Sequence, residues 1–470
     1  MGMEHQQGTW TQLKLFEIEG SVCHGVGGEG GTGAAACEEG QATTALNRER
    51  ALTSRLMEQV CERENLNRAY KRVKSNKGAP GIDGMTVEEL YGWIKEHGEG
   101  LKASLLDGSY EPDPVKAVEI PKPSGGTREL GIPTVVDRLV QQAILQVLDP
   151  IIDPTFSESS YGFRRGRNAH QALKQAAEYV EEGRAVVVDF GIAKFFDRVN
   201  HDVLMARVAR YVRDKRILRI IRRFLEAGVM RNGVRVRRYE GTPQGGPLSP
   251  LLANLLLDDL DKELENRGHR FCRYADDCNI YIRTIRAGER VMASVVRFLE
   301  ERLHLRVNPD KSAVAYVEER QVLGYRLLRG GRLGMAPRSL ARAKQRIRAI
   351  TRRNRGISLS RMIRELNAFV SGWVTYFRYA ACKTVLQRLD EWIRRKLRCV
   401  RLKQCKWPKA ILEFLCRLGV PGWSARQLAG SGAGWWRKAG TPQAHRAMSN
   451  AWFRAQGLIS LSGRHAALRP

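Results

Sequence analysis

Apolar positions recur at helical spacing from Glu49 through "LNRAYKRVKSNK" (Leu66–Lys77) and give way to the turn-rich "GAPGIDG" (Gly78–Gly84). Short apolar runs then alternate with longer helical ones. "EIPKPSGGTRELGIP" (Glu119–Pro133) reads as a strand entering a Gly-rich turn and a strand leaving it. "AVVVDFGIAKFFDRVNHD" (Ala185–Asp202) opens with a β-branched run suited to a buried central strand, then crosses a polar turn to a helix start. In "GTPQGGPLSPLLANLLLDDLDKEL" (Gly241–Leu264), Ser249 and Pro250 read as an N-cap and the first helical residue. The glycines ahead of them, Gly245 and Gly246, would let backbone approach a ligand closely. Between Phe271 and Ile282, "FCRY" and "CNIYI" frame a tight turn over Ala275, Asp276 and Asp277. "LHLRVNPDKSAV" (Leu303–Val314) and "QVLGYRL" (Gln321–Leu327) add another strand pair. The pattern then turns wholly helical. Trp373, Tyr376 and Phe377 fall at i, i+3, i+4, and Leu389, Trp392 and Ile393 continue an apolar stripe, both read as helical core. The order predicts a Gly-rich tail (Gly20–Gly40) with too little to bury to be ordered, a mixed α/β body and a helical C-terminal third.

Charge changes this picture most. Across 470 residues, 79 Lys and Arg against 50 Asp and Glu leave a net charge of +29, an excess that points to a polyanionic partner, nucleic acid first. The nine cysteines include no C-x-x-C, so the spacing of a zinc site is missing and a reducing compartment is expected. No run of about 18 apolar residues suggests a membrane span, and no apolar secretory segment opens the chain.

The adjacent carboxylates Asp276 and Asp277 repel one another unless a cation lies between them. Hard cations take carboxylate oxygens, and Mg²⁺ keeps waters and substrate phosphates as its remaining ligands. Two such ions about 3.5–4 Å apart suit phosphoryl transfer to a 3′-hydroxyl. Lys122 and Arg128 flank the Gly-rich turn of Glu119–Pro133, a basic pair beside free backbone N–H groups that suits a triphosphate.

"NKGAPGIDG" (Asn76–Gly84), "SSYGFRRGRNAHQAL" (Ser159–Leu173), "GTPQGGPLSP" (Gly241–Pro250) and "YADD" (Tyr274–Asp277), in this order, resemble the group II intron type of reverse transcriptase. The resemblance covers roughly Glu49 to the C-terminus. It implies an α/β (α+β) right-hand polymerase: fingers and palm with an antiparallel palm sheet, then an α-helical thumb/maturase domain and a small basic C-terminal region. It also implies Mg²⁺-dependent, RNA-directed DNA synthesis. By that resemblance Asp276 and Asp277 match the catalytic, metal-binding palm carboxylates. Lys122 and Arg128 match the residues gripping the incoming triphosphate, and Gln244 and Lys311 match positions lining the nucleotide site. Phe196 matches the aromatic gate against a ribose 2′-hydroxyl.

One position departs from the family pattern. Relatives read roughly D-L-x-K-F-F-D where this chain has "GIAKFFD", so Gly191 stands where the third metal ligand is expected. Asp189 lies two residues earlier on the same strand face, about 6.6 Å away at ~3.3 Å per residue. A register slipped by two would align Asp189 and put Lys194 at the gate; the unslipped register is the preferred reading.

The C-terminal third resembles the maturase-specific domain, with Arg388, Arg394, Arg395, Lys396 and Arg398 on polar faces suited to RNA phosphates. Residues 432–461 resemble the DNA-binding end of bacterial members, and no paired cysteines or His-Asn-His pattern follows, as in class C intron proteins. The expected domains are a tail (1–44), an N-terminal extension (45–110), fingers and palm (111–335), thumb/maturase domain (336–402) and a DNA-binding region (403–470). Expected partners are intron RNA, an RNA template with its DNA primer, target DNA and deoxynucleoside triphosphates, in a bacterial cytoplasm. Two readings stay open: an active reverse transcriptase and maturase, or an RNA-binding splicing cofactor whose polymerase chemistry is impaired at Gly191.

Overall fold

The structure is a computed structural model that describes residues 55–121, 127–231, 233–236 and 238–469. The predicted Gly-rich tail and Lys122 lie outside the described residues. The chain forms two compact units: the body through Arg320 together with Arg329–Gly331, and a C-terminal unit of 321–328 and 332 onward.

Among the described residues the body carries eight strands: β1 (Val115–Pro121), β2 (Thr127–Ile132), β3 (Val186–Gly191), β4 (Val229–Arg231), β5 (Val234–Val236), β6 (Arg270–Tyr274), β7 (Asp277–Ile282) and β8 (Ala313–Tyr316). One sheet runs β2-β1-β4-β5, with β1 and β4 parallel; the other runs β6-β7-β3-β8 and is antiparallel throughout. Strand β3 is central in the second sheet, so Val186, Val187, Val188 and Phe190 are buried, which is why its sequence is an unbroken apolar run up to Asp189. The helix Ile285–Arg302 packs on β3 and β8, and the helix Ala169–Glu181 on β6. The helix Ser249–Asn266 is buried on several faces, and its Leu256 joins Ile144, Phe190 and Ile280 in one core.

The β6–β7 hairpin closes at the pair Tyr274–Asp277, leaving Ala275 and Asp276 as a two-residue loop. Asp277 therefore begins β7, whereas the sequence pattern put it in the turn. Ala275 takes φ +58°, a left-handed conformation that a side-chain-bearing residue adopts only when its surroundings impose it. Arg273 imposes it. Its guanidinium, 1% exposed, donates to the Ala275 carbonyl (3.0 Å), both Asp261 carboxylate oxygens (2.6 and 2.7 Å), Asn254 Oδ1 (3.0 Å) and Ser160 Oγ (2.8 Å). Its backbone donates to the Ser159 carbonyl (2.8 Å) and accepts from the Tyr161 N–H (2.9 Å). Gly162 passes so close that a Cβ there would lie 2.3 Å from the Ala275 nitrogen.

Two local expectations need correction. Ser249 is the first helical residue, not the N-cap: its hydroxyl donates back to the Pro243 carbonyl at 2.8 Å, a buried acceptor in the preceding loop. In the loop ahead of it, Gly245 (φ +134°) and Gly246 also pass close to protein: a Cβ on the first would lie 2.6 Å from the Gly131 carbonyl, and one on the second 2.4 Å from Gln141 Oε1. Leu303–Val314 and Gln321–Leu327 do not form a strand pair. Their strands part company, β8 completing the sheet beside β3, while β9 (Tyr325–Leu327) pairs with β10 (Leu333–Met335) in the C-terminal unit.

That C-terminal unit is otherwise helical among the described residues, with Pro337–Ile350, Leu359–Tyr376 and Lys383–Gln404 followed by six short helices. The aromatic stripe does core work. Tyr325 of β9 lies 5.7 Å from the Tyr376 ring and 4.9 Å from Phe377, and Trp373 lies 5.1 Å from Phe377. The Tyr376 hydroxyl donates to the Leu323 carbonyl at 2.7 Å.

Replacing Arg273 with Met should strand Asp261, 0% exposed, as a buried unpaired carboxylate. Breaking such a pair costs about 3–5 kcal/mol, to be read as the drop in unfolding free energy in a urea titration. A loss below 1 kcal/mol would show that Asp261 finds other partners.

Candidate functional site

The end of β3 and the start of β7 meet at the hairpin tip. Gly191 pairs across the sheet with Asp277, and Asp189 with Asn279, so the preferred unslipped register is the one the fold adopts. A Cβ on Gly191 would sit 3.1 Å from Asp277 Oδ1 and 3.9 Å from Lys311 Cδ. A carboxylate grown from this position would therefore enter the space shared by Asp277 and Lys311. The 306–312 segment holds this corner: Asn308 N–H donates to the Gly191 carbonyl (2.8 Å), Arg306 carbonyl accepts from Ala193 (2.8 Å), and Ser312 Oγ accepts from Gly191 N–H (3.3 Å).

Asp189 is committed elsewhere. It accepts from Arg320 at 2.7 Å and from Asn279 Nδ2 at 2.9 Å, and Arg320 also donates to the Lys311 carbonyl at 2.5 Å. Burial raises the Asp189 pKa, and Arg320 then Asn279 oppose that shift by holding the charged form.

Asp276 is half-buried and Asp277 keeps an exposed face, although protein packs closely around its carboxylate. That desolvation, then the charge of Asp276, pushes the Asp277 pKa up to about 6, with Lys311 pulling the other way. Among the described residues no three His, Cys, Asp or Glu side chains converge as a metal site. The pair Asp276 and Asp277 does fit a hard divalent cation that draws its other ligands from water and substrate, because a cation would offset both the desolvation of Asp277 and its repulsion from Asp276.

Phe196 follows the end of β3 by five residues. It sits in the one-turn segment Phe195–Asp197, its ring edge-on to buried Phe195 at 5.2 Å, and its carbonyl accepts from Thr242 N–H at 2.7 Å. Gln244 reaches the same turn, Nε2 lying 3.4 Å from Asp197 Oδ1. Lys194, the gate in a slipped register, is exposed with φ +48°. Arg128 lies on β2 opposite Ile120.

In the C-terminal unit Arg388 is exposed and Arg394 and Lys396 are half-buried. Arg395 stacks over Trp436 at 4.2 Å and donates to its carbonyl. Arg398 differs from the expected phosphate-facing role. It is 4% exposed, donates to the Met448 carbonyl at 3.1 Å, and burial, then the charge of Arg394, lowers its pKa to about 10. The short helices beyond Gln404 cover that face of its helix, which charge periodicity does not reveal.

Residues 120–327 match the reverse transcriptase (RNA-dependent DNA polymerase) family, and residues 340–414 match the group II intron maturase-specific domain. Protein YkfC of Escherichia coli K12 is 32% identical over 316 residues, 58% of this chain and 83% of that protein. The chain belongs to the group II intron reverse transcriptase/maturase family. Group II intron-encoded protein LtrA of Lactococcus lactis is 39% identical over 195 residues, 41% of this chain and 32% of LtrA. A 91 kDa protein in the cob intron of Schizosaccharomyces pombe is 34% identical over 210 residues, 43% of this chain and 25% of that protein. This reverse transcriptase/maturase thus spans about a third or less of the length of those two relatives. Its function class is RNA-directed DNA polymerase with a maturase domain, which makes nucleic acid its partner. No described helix is long and apolar enough to cross a membrane.

Sequence reasoning did not find Arg273, Arg320 or Gly162. Arg273 and Arg320 sit in mixed runs where an arginine reads as solvated, and no local spacing joins Arg320 to Asp189, 131 residues away.

Asp277 makes the fold pH-dependent in a defined direction. Its folded pKa of about 6 lies above the ordinary 3.8, so the folded state holds the proton more tightly. The stability this provides is present below about pH 4 and lost as pH rises through about 6. In the absence of divalent cations, Asp277→Asn should raise the thermal midpoint at pH 7 and have little effect near pH 4. Mg²⁺ should raise the midpoint of the unaltered protein more than that of Asp277→Asn. An Asn variant less stable at pH 7 would refute the repulsion.

Proposed function

We propose that this chain copies intron RNA into DNA at the Asp276–Asp277 hairpin and binds the same RNA to assist its splicing and mobility. The observation that carries the reading is the hairpin tip: two adjacent aspartates on a turn whose Ala275 carbonyl is held by a buried guanidinium, facing the end of β3 five residues before Phe196. Asp276 and Asp277 would hold Mg²⁺, two ions in the two-metal arrangement. When bound, such ions supply a more acidic primer 3′-hydroxyl and neutralise charge on the departing pyrophosphate.

The chain's own residues have separate tasks. Lys122 and Arg128 would grip the triphosphate of the incoming deoxynucleotide. Lys311 places a positive charge beside Asp277 and, with Gln244, would line the nucleotide site. Phe196 would close the pocket against a 2′-hydroxyl. Arg388, Arg394, Arg395 and Lys396 would contact intron RNA, and residues 403–470 the target DNA, as in class C bacterial proteins working in the cytoplasm. The domain limits proposed from the sequence go with this reading.

One observation favours a second reading, a maturase whose polymerase step is weak. Gly191 occupies the strand position facing Asp277, and Asp189 is bound by Arg320 and Asn279. The remaining carboxylates leave the substrate's charge less well neutralised.

Primer extension on an RNA template with Mg²⁺ separates the two, using the unaltered chain, Gly191→Asp, and Asp276→Ala as an inactive reference. The unaltered chain should extend slowly and Gly191→Asp should be faster by ~10²–10³, the usual effect of one positioned electrostatic contact. Binding to intron RNA should not change. Full activity in the unaltered chain, abolished by Asp189→Ala, would mean that Asp189 leaves Arg320 and serves the site. Activity at the level of Asp276→Ala in both other proteins would remove the polymerase reading.

A further inference from the structure

The C-terminal unit contains a cleft of about 920 Å³ between the end of the helix Pro337–Ile350, the helix Lys383–Gln404 and the segment at Trp435 and Trp436. Its walls carry Arg348, Arg352, Arg353, Lys396 and Lys403, and no carboxylate lines it. None of these five cations forms an ion pair among the described residues, whereas Arg355, two residues beyond Arg353, pairs with Glu365 at 2.7 Å. Arg348 and Lys396 converge on the Trp392 ring from 5.6 and 5.1 Å. Trp436 keeps 41% of its surface exposed although Arg395 stacks on it at 4.2 Å.

Five unneutralised like charges in one concavity repel each other in the free protein, and a polyanion removes that repulsion. Phosphate alone would not call for an indole in the wall. A flat aromatic ring among cations is how single-stranded polynucleotides are held: the charges follow the backbone and the ring stacks an unpaired base. A duplex keeps its base faces stacked internally and offers nothing to Trp436. The cleft volume lies within the ~300–1,000 Å³ typical of ligand pockets.

We propose that this cleft seats an unpaired nucleotide of a polynucleotide strand, its phosphates on Arg348, Arg352, Arg353, Lys396 and Lys403 and its base on Trp436. The proposal rests on the maturase reading of the C-terminal unit and names a site for it. It moves the strand contact into a recess built from two helices and Trp436, away from the outward face marked by Arg388.

The test is fluorescence anisotropy with the full chain and labelled short oligo(U), oligo(dT), an abasic phosphodiester strand and a duplex, each over a range of salt. Trp436→Ala should weaken oligo(U) about tenfold while leaving the abasic strand unchanged, and Trp436→Phe should retain most of the oligo(U) affinity. Replacing Arg352 and Arg353 together with Gln should weaken both strands and lower the slope of log affinity against log salt by about 1.4. Trp423→Ala, at a ring 75% exposed and outside the cleft, should change nothing. Matching losses for oligo(U) and oligo(dT) would assign the site to any single strand; a loss confined to oligo(U) would assign it to RNA. If the unaltered chain binds with strong salt dependence and the cleft variants bind just as well, the cleft is not the site and the maturase reading survives. Tighter binding of duplex than of single strand, unaffected by Trp436→Ala, also overturns it. No salt-dependent binding by the unaltered chain would overturn both.

Discussion

A guanidinium sealed from water holds the turn that bears the two aspartates. A buried charge is tolerable only when its partners are in place, and those of Arg273 come from three separate stretches: Asn254 and Asp261 on one helix, Ser160 in the preceding block, and the carbonyl of Ala275 in the hairpin itself. Satisfying one side chain therefore fixes the helix, the block and the hairpin tip relative to one another. It also accounts for the left-handed Ala275 and for Gly162, whose missing Cβ is the only way past the turn. Asp276 and Asp277 owe their position to a residue that never meets a substrate.

What the sequence made legible follows from local physics. The β-branched run at Val186–Val188, bounded by polar turns, announces a central strand. The match of "AKFFD" to the family pattern, not periodicity, singled out Gly191 over Asp189 on the same strand face, and in the structure Gly191 pairs with Asp277. The spacing of Trp373, Tyr376 and Phe377 marked a packed face, and β9 supplies the ring that packs on it. What stayed illegible is long-range. Nothing near Asp189 announces Arg320, and nothing near Arg398 announces that Met448 will take its proton donor. Ser249 carries the local signature of a cap, yet an unsatisfied carbonyl at Pro243 claims its hydroxyl. In each case a buried polar group chose a partner that sequence distance conceals.

The corner where β3 meets the hairpin shows how one position can be neutral for the fold and still decide what fills the space beside a carboxylate. Gly191 makes the same backbone bonds any residue would, to Asn308 and Ser312, so strand β3 loses nothing in pairing. What is absent is a side chain in the space beside Asp277. The ion pair of Asp189 with Arg320 keeps the nearest alternative carboxylate occupied, and Arg320 uses the same guanidinium to hold the Lys311 backbone. In this corner Asp189 is thus committed to structure, while Asp276 and Asp277 supply the carboxylates at the hairpin tip.

The course of the backbone through the two units has a practical corollary. The chain leaves the body after Arg320, returns to it for Arg329–Gly331, and leaves again. The returning residues lie against the helix Ala169–Glu181, where a Cβ on Gly331 would come within 2.7 Å of the Ala177 carbonyl. No single scission liberates either unit intact. A fragment ending at Arg320 forfeits the plug on that helix, and one beginning at Gln321 carries the plug with nothing to seat it. Dissection of this protein into independently expressed halves therefore calls for a loop graft across Arg329–Gly331 rather than a simple truncation.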